Sequence, residues 1–310
     1  MFKLARPFFI RVITPLHAGS GQELGIVDLP IQREKHTGFP KIEASGLKGS
    51  IREVFETSLK NIQVGEKVIT DKKGLKEAVS LAFGPEEGNA HAGALGFTDA
   101  RMLLFPVKSM RGVFAYVTCP KILKRLQEEL KLCNIENKNF DVIPNENTVS
   151  SNALMINNNI ILEEYSFEVK ENETTKEFAN FLSNLLNIEE IKDKLVVLDD
   201  DDFKDFANLS TEVITRTKID SKTGTVATGA LFTEEYLPSE TIMYSLILTT
   251  PVFKPKKEEK GVFYQEGQSE EGLVLEFFEN GIPEVIQIGG NATIGKGIVE
   301  IKKWQEAKNG

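Results

Sequence analysis

Cysteine is scarce: Cys119 and Cys133 are the only two in 310 residues. Two thiols cannot build a disulfide framework or a four-cysteine zinc site, and this usage implies a reducing, cytoplasmic setting. His36 and His91 have no Cys or His partner at zinc-ligand spacing. No apolar run approaches the ~18 residues that cross a bilayer, which excludes a membrane-spanning chain. Residues 1–7 lack the apolar core and small-residue cleavage site of a signal peptide. The signatures G-x-S-x-G and H-E-x-x-H are missing as well. So is an excess of positive charge: 37 Lys and Arg stand against 46 Asp and Glu, a net of −9. That balance excludes a protein coating nucleic acid with its whole surface, while a local basic groove stays compatible.

With 41% hydrophobic and 27% charged residues, the chain can bury a core. Its length fits about two domains, or one with large insertions. Phe8-Phe9-Ile10-Arg11-Val12-Ile13-Thr14 reads as a strand, stopped by Pro15. A small-residue loop follows, and then the extended stretch 26–31, where Pro30 forbids a central strand. Leu47, Ile51, Val54 and Phe55 form one apolar stripe, so a helix is expected over 45–58 with Ser45 as N-cap. A second helix is expected over 75–83, ended by Gly84-Pro85. Strands over 95–107 and 113–119 and a helix over 121–132 give the order β-α-α-β-β-α. Without the extra helix, that is most of the ferredoxin-like plan, a common RNA-binding platform. The Asn-rich middle, 134–202, reads as an insertion with a strand at 160–169. Two arms surround Ser221-Lys222-Thr223-Gly224, a hairpin turn signal. Strands at 242–248, 285–288 and 298–301 and a short helix at 273–278 complete the reading.

Several segments could carry chemistry. Gly290 through Lys296 matches the start of a P-loop, but Gly297 stands where magnesium needs Ser or Thr, and a strand follows instead of a helix. An NTPase is therefore rejected. A glycine-rich turn between strands still suits either a phosphate or a tight connection. Lys48 and Arg52 lie one turn apart, with Gly46 and Gly49 beside them and Lys41 before the helix, as an anion site requires. A solvated helix face, with Glu56 pairing Arg52, accounts for the same residues. Lys108 and Arg111 flank a loop near Phe105 and Phe114, which suits a single-stranded nucleic acid or an ordinary hairpin tip. Asp28 is an acid in an apolar stretch, eleven residues after His17; the two could share acid–base work on a phosphodiester, or cap loops. The run Asp199–Asp202 lacks EF-hand spacing and reads as a helix start.

Taken together, these pieces resemble a known family. The stretches His17-Ala18-Gly19-Ser20-Gly21, Gly25-Ile26-Val27-Asp28-Leu29-Pro30-Ile31 and Phe39-Pro40-Lys41-Ile42-Glu43-Ala44-Ser45-Gly46-Leu47-Lys48-Gly49-Ser50-Ile51-Arg52 look like the RAMP superfamily. The Asp28 context and Glu234-Glu235-Tyr236-Leu237-Pro238 narrow the likeness to the backbone subunits of type III-B (Cmr) CRISPR effectors, which Gly96-Phe97-Thr98-Asp99-Ala100-Arg101, Phe232-Thr233 and the terminal glycine-rich loop also fit. It runs from about residue 8 to 302 and is weakest in the Asn-rich middle.

The resemblance implies an α+β chain: an RRM-like (ferredoxin-like) palm, an inserted helical lobe and a protruding β-hairpin thumb. The implied divisions are 1–120 for the first part of the palm, 121–210 for the lobe, 211–238 for the thumb and 239–310 for palm completion. It implies copies of the chain arrayed along a guide RNA (crRNA), with other Cmr-type subunits as partners and no membrane. Each copy would act as an endoribonuclease on complementary target RNA. Asp28 would be the catalytic residue and the ligand of a divalent ion, Mg2+ or Mn2+, with His17, Glu234 and Tyr236 as helpers and Glu235 as the alternative to Glu234. The RNA-binding set would be Lys41, Ser45, Lys48, Gly49, Arg52, Lys108, Arg111, Arg216, Lys218, Gly290, Gly295 and Lys296. A RAMP-type guide-processing ribonuclease and a non-catalytic RNA-coating scaffold are the competing readings.

Overall fold

The computed structural model describes residues 2–21, 26–57, 61–86, 91–135, 142–217, 219–220, 222–226 and 230–304. Four strands form its centre: Leu4–Val12, Ala100–Lys108, Ile242–Thr249 and Ile298–Lys303. Across the sheet they run fourth, first, third, second, and every neighbouring pair is antiparallel. Helix Ala44–Thr57 follows the first of them and helix Glu270–Gly281 follows the third.

Leu4–Val12 does not alternate, because it is buried on both sides. Phe8 points to one face, where its ring meets Phe278 at 5.8 Å, and Phe55 meets Phe277 at 4.9 Å and Phe83 at 5.3 Å. These rings join helices Ala44–Thr57, Lys72–Phe83 and Glu270–Gly281. Phe9 points to the other face and stacks on Trp304 at 6.3 Å. Helix Pro120–Leu132 packs against strand Ala100–Lys108, burying Ile122, Leu123, Leu126 and Leu130. Its Glu129 pairs with Arg101 of that strand, and Tyr244 beneath is almost fully buried. Among the described residues, both faces of the central unit are therefore covered.

The sequence reading of the plan needs correction at its third strand. Phe114–Thr118 does follow Ala100–Lys108, but on the sheet's outer side, and helix Pro120–Leu132 belongs to the opposite face. The third central strand is Ile242–Thr249, and residues 109–241 intervene. The segment expected as a short helix at 273–278 is the twelve-residue helix Glu270–Gly281. The strand expected at 160–169 is a hairpin, Asn159–Leu162 and Tyr165–Glu168, turned at Glu163 with φ 49°. The inserted region also extends the same sheet: Leu195–Val197 pairs in parallel with Phe114–Thr118, and Thr148–Val149 and Lys170–Glu171 follow. Asp199 caps helix Asp200–Leu209 by accepting the N–H groups of Asp201 and Asp202. Among the described residues, no helix is long and apolar enough to cross a membrane.

The antiparallel order sets where the loops meet. The segment after Leu4–Val12, the hairpin before Ile242–Thr249 and the glycine-rich turn before Ile298–Lys303 all emerge at one end of the sheet.

Candidate active site

The hairpin strands Glu212–Arg216 and Phe232–Tyr236 pair with each other in a separate two-stranded sheet. Leu29 runs alongside in parallel with Glu234: its N–H reaches Thr233 O at 3.0 Å, and Glu235 N–H reaches Leu29 O at 3.0 Å. This places Asp28 at the hairpin's base. Asp28 is exposed, and its Oδ2 accepts the N–H of Thr233 at 2.7 Å and the Thr233 hydroxyl at 2.9 Å. The backbone N–H first, and then the hydroxyl, hold the carboxyl below its ordinary range. Neither bond engages Oδ1.

A second cluster fills the angle between hairpin and sheet. Glu234 is 4% exposed, yet it is surrounded by donors. Tyr236 donates its hydroxyl to Oε2 at 2.6 Å, Arg216 approaches the same oxygen at 2.6 Å, and Asn291 donates to Oε1 at 2.6 Å. Burial alone pushes the Glu234 carboxyl up, but the bonds from Tyr236 and Asn291 and the charges of His17 and Arg216 prevail and hold it low. Burial, and then the bond to Glu234, push the Tyr236 phenol up. Lys296 lies over the Tyr236 ring, 4.9 Å from its centre.

His17 Nδ1 is 2.7 Å from the Glu235 carbonyl oxygen. A carbonyl only accepts, so Nδ1 carries the proton and Nε2 is the atom free to gain or lose one. Nε2 is 3.6 Å from Glu234 Oε1. The imidazole has room because residue 19 is Gly: a Cβ there would lie 2.6 Å from Nε2. Gly289, at φ +82°, lets the terminal turn close on His17, whose carbonyl accepts the N–H of Gly290 at 2.9 Å. The turn then presents Asn291 to Glu234.

Thus His17, Arg216, Glu234, Tyr236 and Lys296 come together, with Asp28 beside them through Leu29 and Thr233. Gly290 and Gly295 are exposed on the adjoining turn. Lys41, Ser45, Lys48, Gly49 and Arg52 form a second group at the start of helix Ala44–Thr57. That helix begins at Ala44, one residue before the expected cap, because Asp99 accepts the Ala44 N–H at 2.9 Å from a distant strand end. Ser45, Gly46 and Gly49 are exposed, and a Cβ on either glycine would meet nothing. The cations have protein partners: Lys41 binds Glu43 and Asp99, Lys48 reaches Leu95 O at 2.9 Å, and Arg52 reaches Glu56 at 2.6 Å and Gly84 O at 2.9 Å. Burial, and then Arg52, hold the Lys48 ammonium below its ordinary value. Lys108 and Arg111 stand apart on the inserted side, where Arg111 donates to Met155 O at 2.7 Å. Lys218 lies outside the described residues.

Among the described residues, no group of three or more His, Cys, Asp or Glu is arranged to hold a metal ion. Magnesium is commonly held by one or two carboxylates together with substrate phosphates. The exposed Asp28 is compatible with that arrangement.

Sequence reasoning missed Thr233 and Asn291 as parts of this site, and named Glu235 only as the alternative to Glu234. An Asn inside a glycine-rich turn was the available signal for Asn291, which takes a left-handed conformation at φ 67°. Nothing local marks Thr233. A cavity of about 590 Å³ between the Tyr165 hairpin and helix Asp200–Leu209 is lined by none of the candidate residues.

Residues 9–300 match the RAMP superfamily. The chain belongs to this superfamily. The CRISPR system Cmr endoribonuclease Cmr4 of Pyrococcus furiosus is 37% identical to this RAMP protein over 307 residues, spanning 96% of this chain and 95% of that one. The crystal structure of oligomeric Cmr4 from Pyrococcus furiosus superposes with a TM-score of 0.71 at 30% identity, over 98% of this chain and 100% of its own. A chain of the type III-B Cmr-beta complex bound to cognate target RNA, solved by cryo-EM, superposes at 0.73 and 26% identity, over 97% of this chain and 98% of its own.

Proposed function

We propose that this RAMP protein is a repeating backbone subunit of a type III-B effector, which binds guide RNA and cleaves complementary target RNA. Its partners are the guide (crRNA), the target, further copies of itself and the other effector subunits. The observation that carries the reading is an exposed carboxylate, Asp28, clamped by Thr233 at the base of a projecting hairpin. Likeness along nearly the whole chain to a named endoribonuclease supports it.

The four central strands and their two helices serve as the RRM-like palm, residues 109–209 as the lobe, and the hairpin around 212–236 as the thumb. Exposed Val213, Ile219, Val226 and Leu231 give the thumb an apolar surface suited to wedging between bases. Guide pairing supplies sequence specificity, so the protein need grip only backbone and shape. The start of helix Ala44–Thr57 and the glycine-rich turn are the surfaces we assign to phosphates.

An A-form duplex keeps each 2′-OH out of line with its own phosphodiester. Displacing one target base frees the 2′-oxygen to give up its proton to water or His17 Nε2 and attack the neighbouring phosphorus, while the 5′-oxygen leaves and takes up a proton, giving a 2′,3′-cyclic phosphate and a 5′-hydroxyl. Holding that geometry contributes several kcal/mol to the lowering of the barrier. Asp28, together with a target phosphate, would hold a divalent ion that neutralises charge on the phosphoryl oxygens when bound. Glu234 is saturated with donors, so it acts as a brace that fixes Arg216, Tyr236 and Asn291. His17 Nε2 is the group in the cluster able to exchange a proton with a nearby substrate.

The test is an assembled complex incubated with matched and mismatched labelled RNA, with and without magnesium. Regularly spaced products from the matched strand alone, lost without metal, are expected. Intact matched RNA under all conditions would leave only a scaffold role.

A further inference from the structure

We infer that Glu235 is a positioning residue, through which the base of the hairpin holds the Asp28 loop in place; the inference rests on the function proposed above. Glu234 and Glu235 are neighbours with different tasks, because successive residues of a strand face opposite sides. Glu234 faces Tyr236 and Asn291. Glu235 faces the loop and is 5% exposed. Its Oε2 accepts the N–H of Ile31 at 3.0 Å. Its Oε1 accepts Arg33 Nη2 at 2.5 Å and the Thr211 hydroxyl at 2.7 Å. Its backbone adds the bond to Leu29 O and accepts from His17.

One residue therefore grips the loop at positions 29, 31 and 33, directly after Asp28. The Arg33 guanidinium carries the connection further, to Gly38 O at 2.9 Å, Ala207 O at 3.0 Å and the Asn208 side chain at 2.8 Å. These bonds tie the loop to the end of helix Asp200–Leu209, and Thr211 ties it to the start of the hairpin. A reacting group must be held within about 0.5 Å of its productive place, and an exposed loop carboxylate achieves that only if its backbone is fastened. Thr233 fixes the Asp28 side chain and the backbone N–H groups of Asp28 and Leu29, and Glu235 fixes the loop that follows, at positions 29, 31 and 33.

The test uses the fully assembled complex and compares Glu235→Gln with Glu235→Ala. Gln retains one acceptor, the amide oxygen for the Ile31 N–H, and turns its NH2 toward Thr211, but loses the charge pair with Arg33; Ala loses every side-chain bond. Single-turnover cleavage at saturating target is expected to fall about tenfold in the Gln variant and at least about 100-fold in the Ala variant. Target affinity and complex assembly should stay within about twofold. Amide hydrogen exchange over residues 29–33 should quicken in the same order. Arg33→Met combined with Glu235→Gln should be no worse than the more severe single variant, since both break the same ion pair. If Ala prevents folding, the Gln variant and its exchange rate carry the test. Normal cleavage by the variants, unchanged exchange, or a loss explained wholly by weaker target binding overturns the inference. If the unmodified complex fails to cut matched RNA, the proposed function falls instead.

Discussion

Thr233 grips the Asp28 carboxylate twice, placing its N–H 2.7 Å and its hydroxyl 2.9 Å from the same oxygen, and its hydroxyl also accepts the Asp28 N–H at 3.0 Å. The two residues are 205 positions apart. The side chain proposed to act on RNA is thereby oriented by the strand of the hairpin that would open the RNA.

Asp28→Asn should leave assembly intact and reduce target cutting by at least about 100-fold, measured as single-turnover rate. Thr233→Val keeps the backbone N–H bond to the carboxylate and loses both hydroxyl bonds, the one donated to Oδ2 and the one accepted from the Asp28 N–H, so a milder loss, within about tenfold, is expected. Because both bonds lower the Asp28 carboxyl, it stays ionised across the neutral range, and the unmodified rate should show no acid limb from Asp28 near pH 7. An Asn variant cutting at the normal rate would remove Asp28 from the mechanism.

Lys48→Ala with Arg52→Ala should weaken guide RNA binding. The slope of log affinity against log salt should flatten by about 0.7 for each phosphate that is no longer neutralised. Titration of guide RNA across a salt series measures both quantities. Affinity and slope equal to those of the unmodified protein would assign the two cations to their partners Leu95, Glu56 and Gly84 alone.

Arg125→Met should cost about 1–3 kcal/mol at neutral pH, because it leaves the buried Glu34 carboxylate with only the Thr37 hydroxyl and the more distant Arg101 at 3.9 Å. Glu34 is 8% exposed and is paired with Arg125, while Thr37 donates its hydroxyl at 2.7 Å. Burial pushes the Glu34 carboxyl up, but Thr37 and Arg125 outweigh it and the net direction is down. A lowered folded-state value gives stability that is present above the unfolded value and lost as pH falls through the folded one. In the variant only Thr37 and Arg101 remain to oppose burial, so the lowering is weakened. The stability gap should therefore be widest near pH 7 and narrow toward about pH 4, as urea denaturation at the two values would reveal.

Gly289→Ala should destabilise by about 1–3 kcal/mol and impair cutting together, since the residue sits at φ +82° and its new Cβ would lie 2.3 Å from the His17 carbonyl oxygen. Gly295, at φ +75° with open space around it, isolates the conformational part: its Ala variant should destabilise less. Paired melting and cleavage measurements separate the two outcomes. Equal effects would show that the close approach to His17 is immaterial.

The sequence by itself determined the elements whose signals are contiguous. The apolar stripe of Leu47, Ile51 and Phe55, the aromatic strand around Phe8 and Phe9, the capped acidic run at Asp199 and the hairpin arms all lie within short windows, where propensity and periodicity act. So do the motif stretches that led to the superfamily, and hence to Asp28. Tertiary structure alone decided which strands meet. Ile242–Thr249 takes the central place that local order would give to Phe114–Thr118, because pairing depends on burying both faces and not on nearness in the chain. It also decided that helix Pro120–Leu132 covers the sheet, that Asp99 caps a helix 55 residues away, and that Thr233 and Glu235 hold the Asp28 loop. Those bonds join residues from distant segments, so no window of the sequence contains both partners, and only the closed chain brings donor to acceptor.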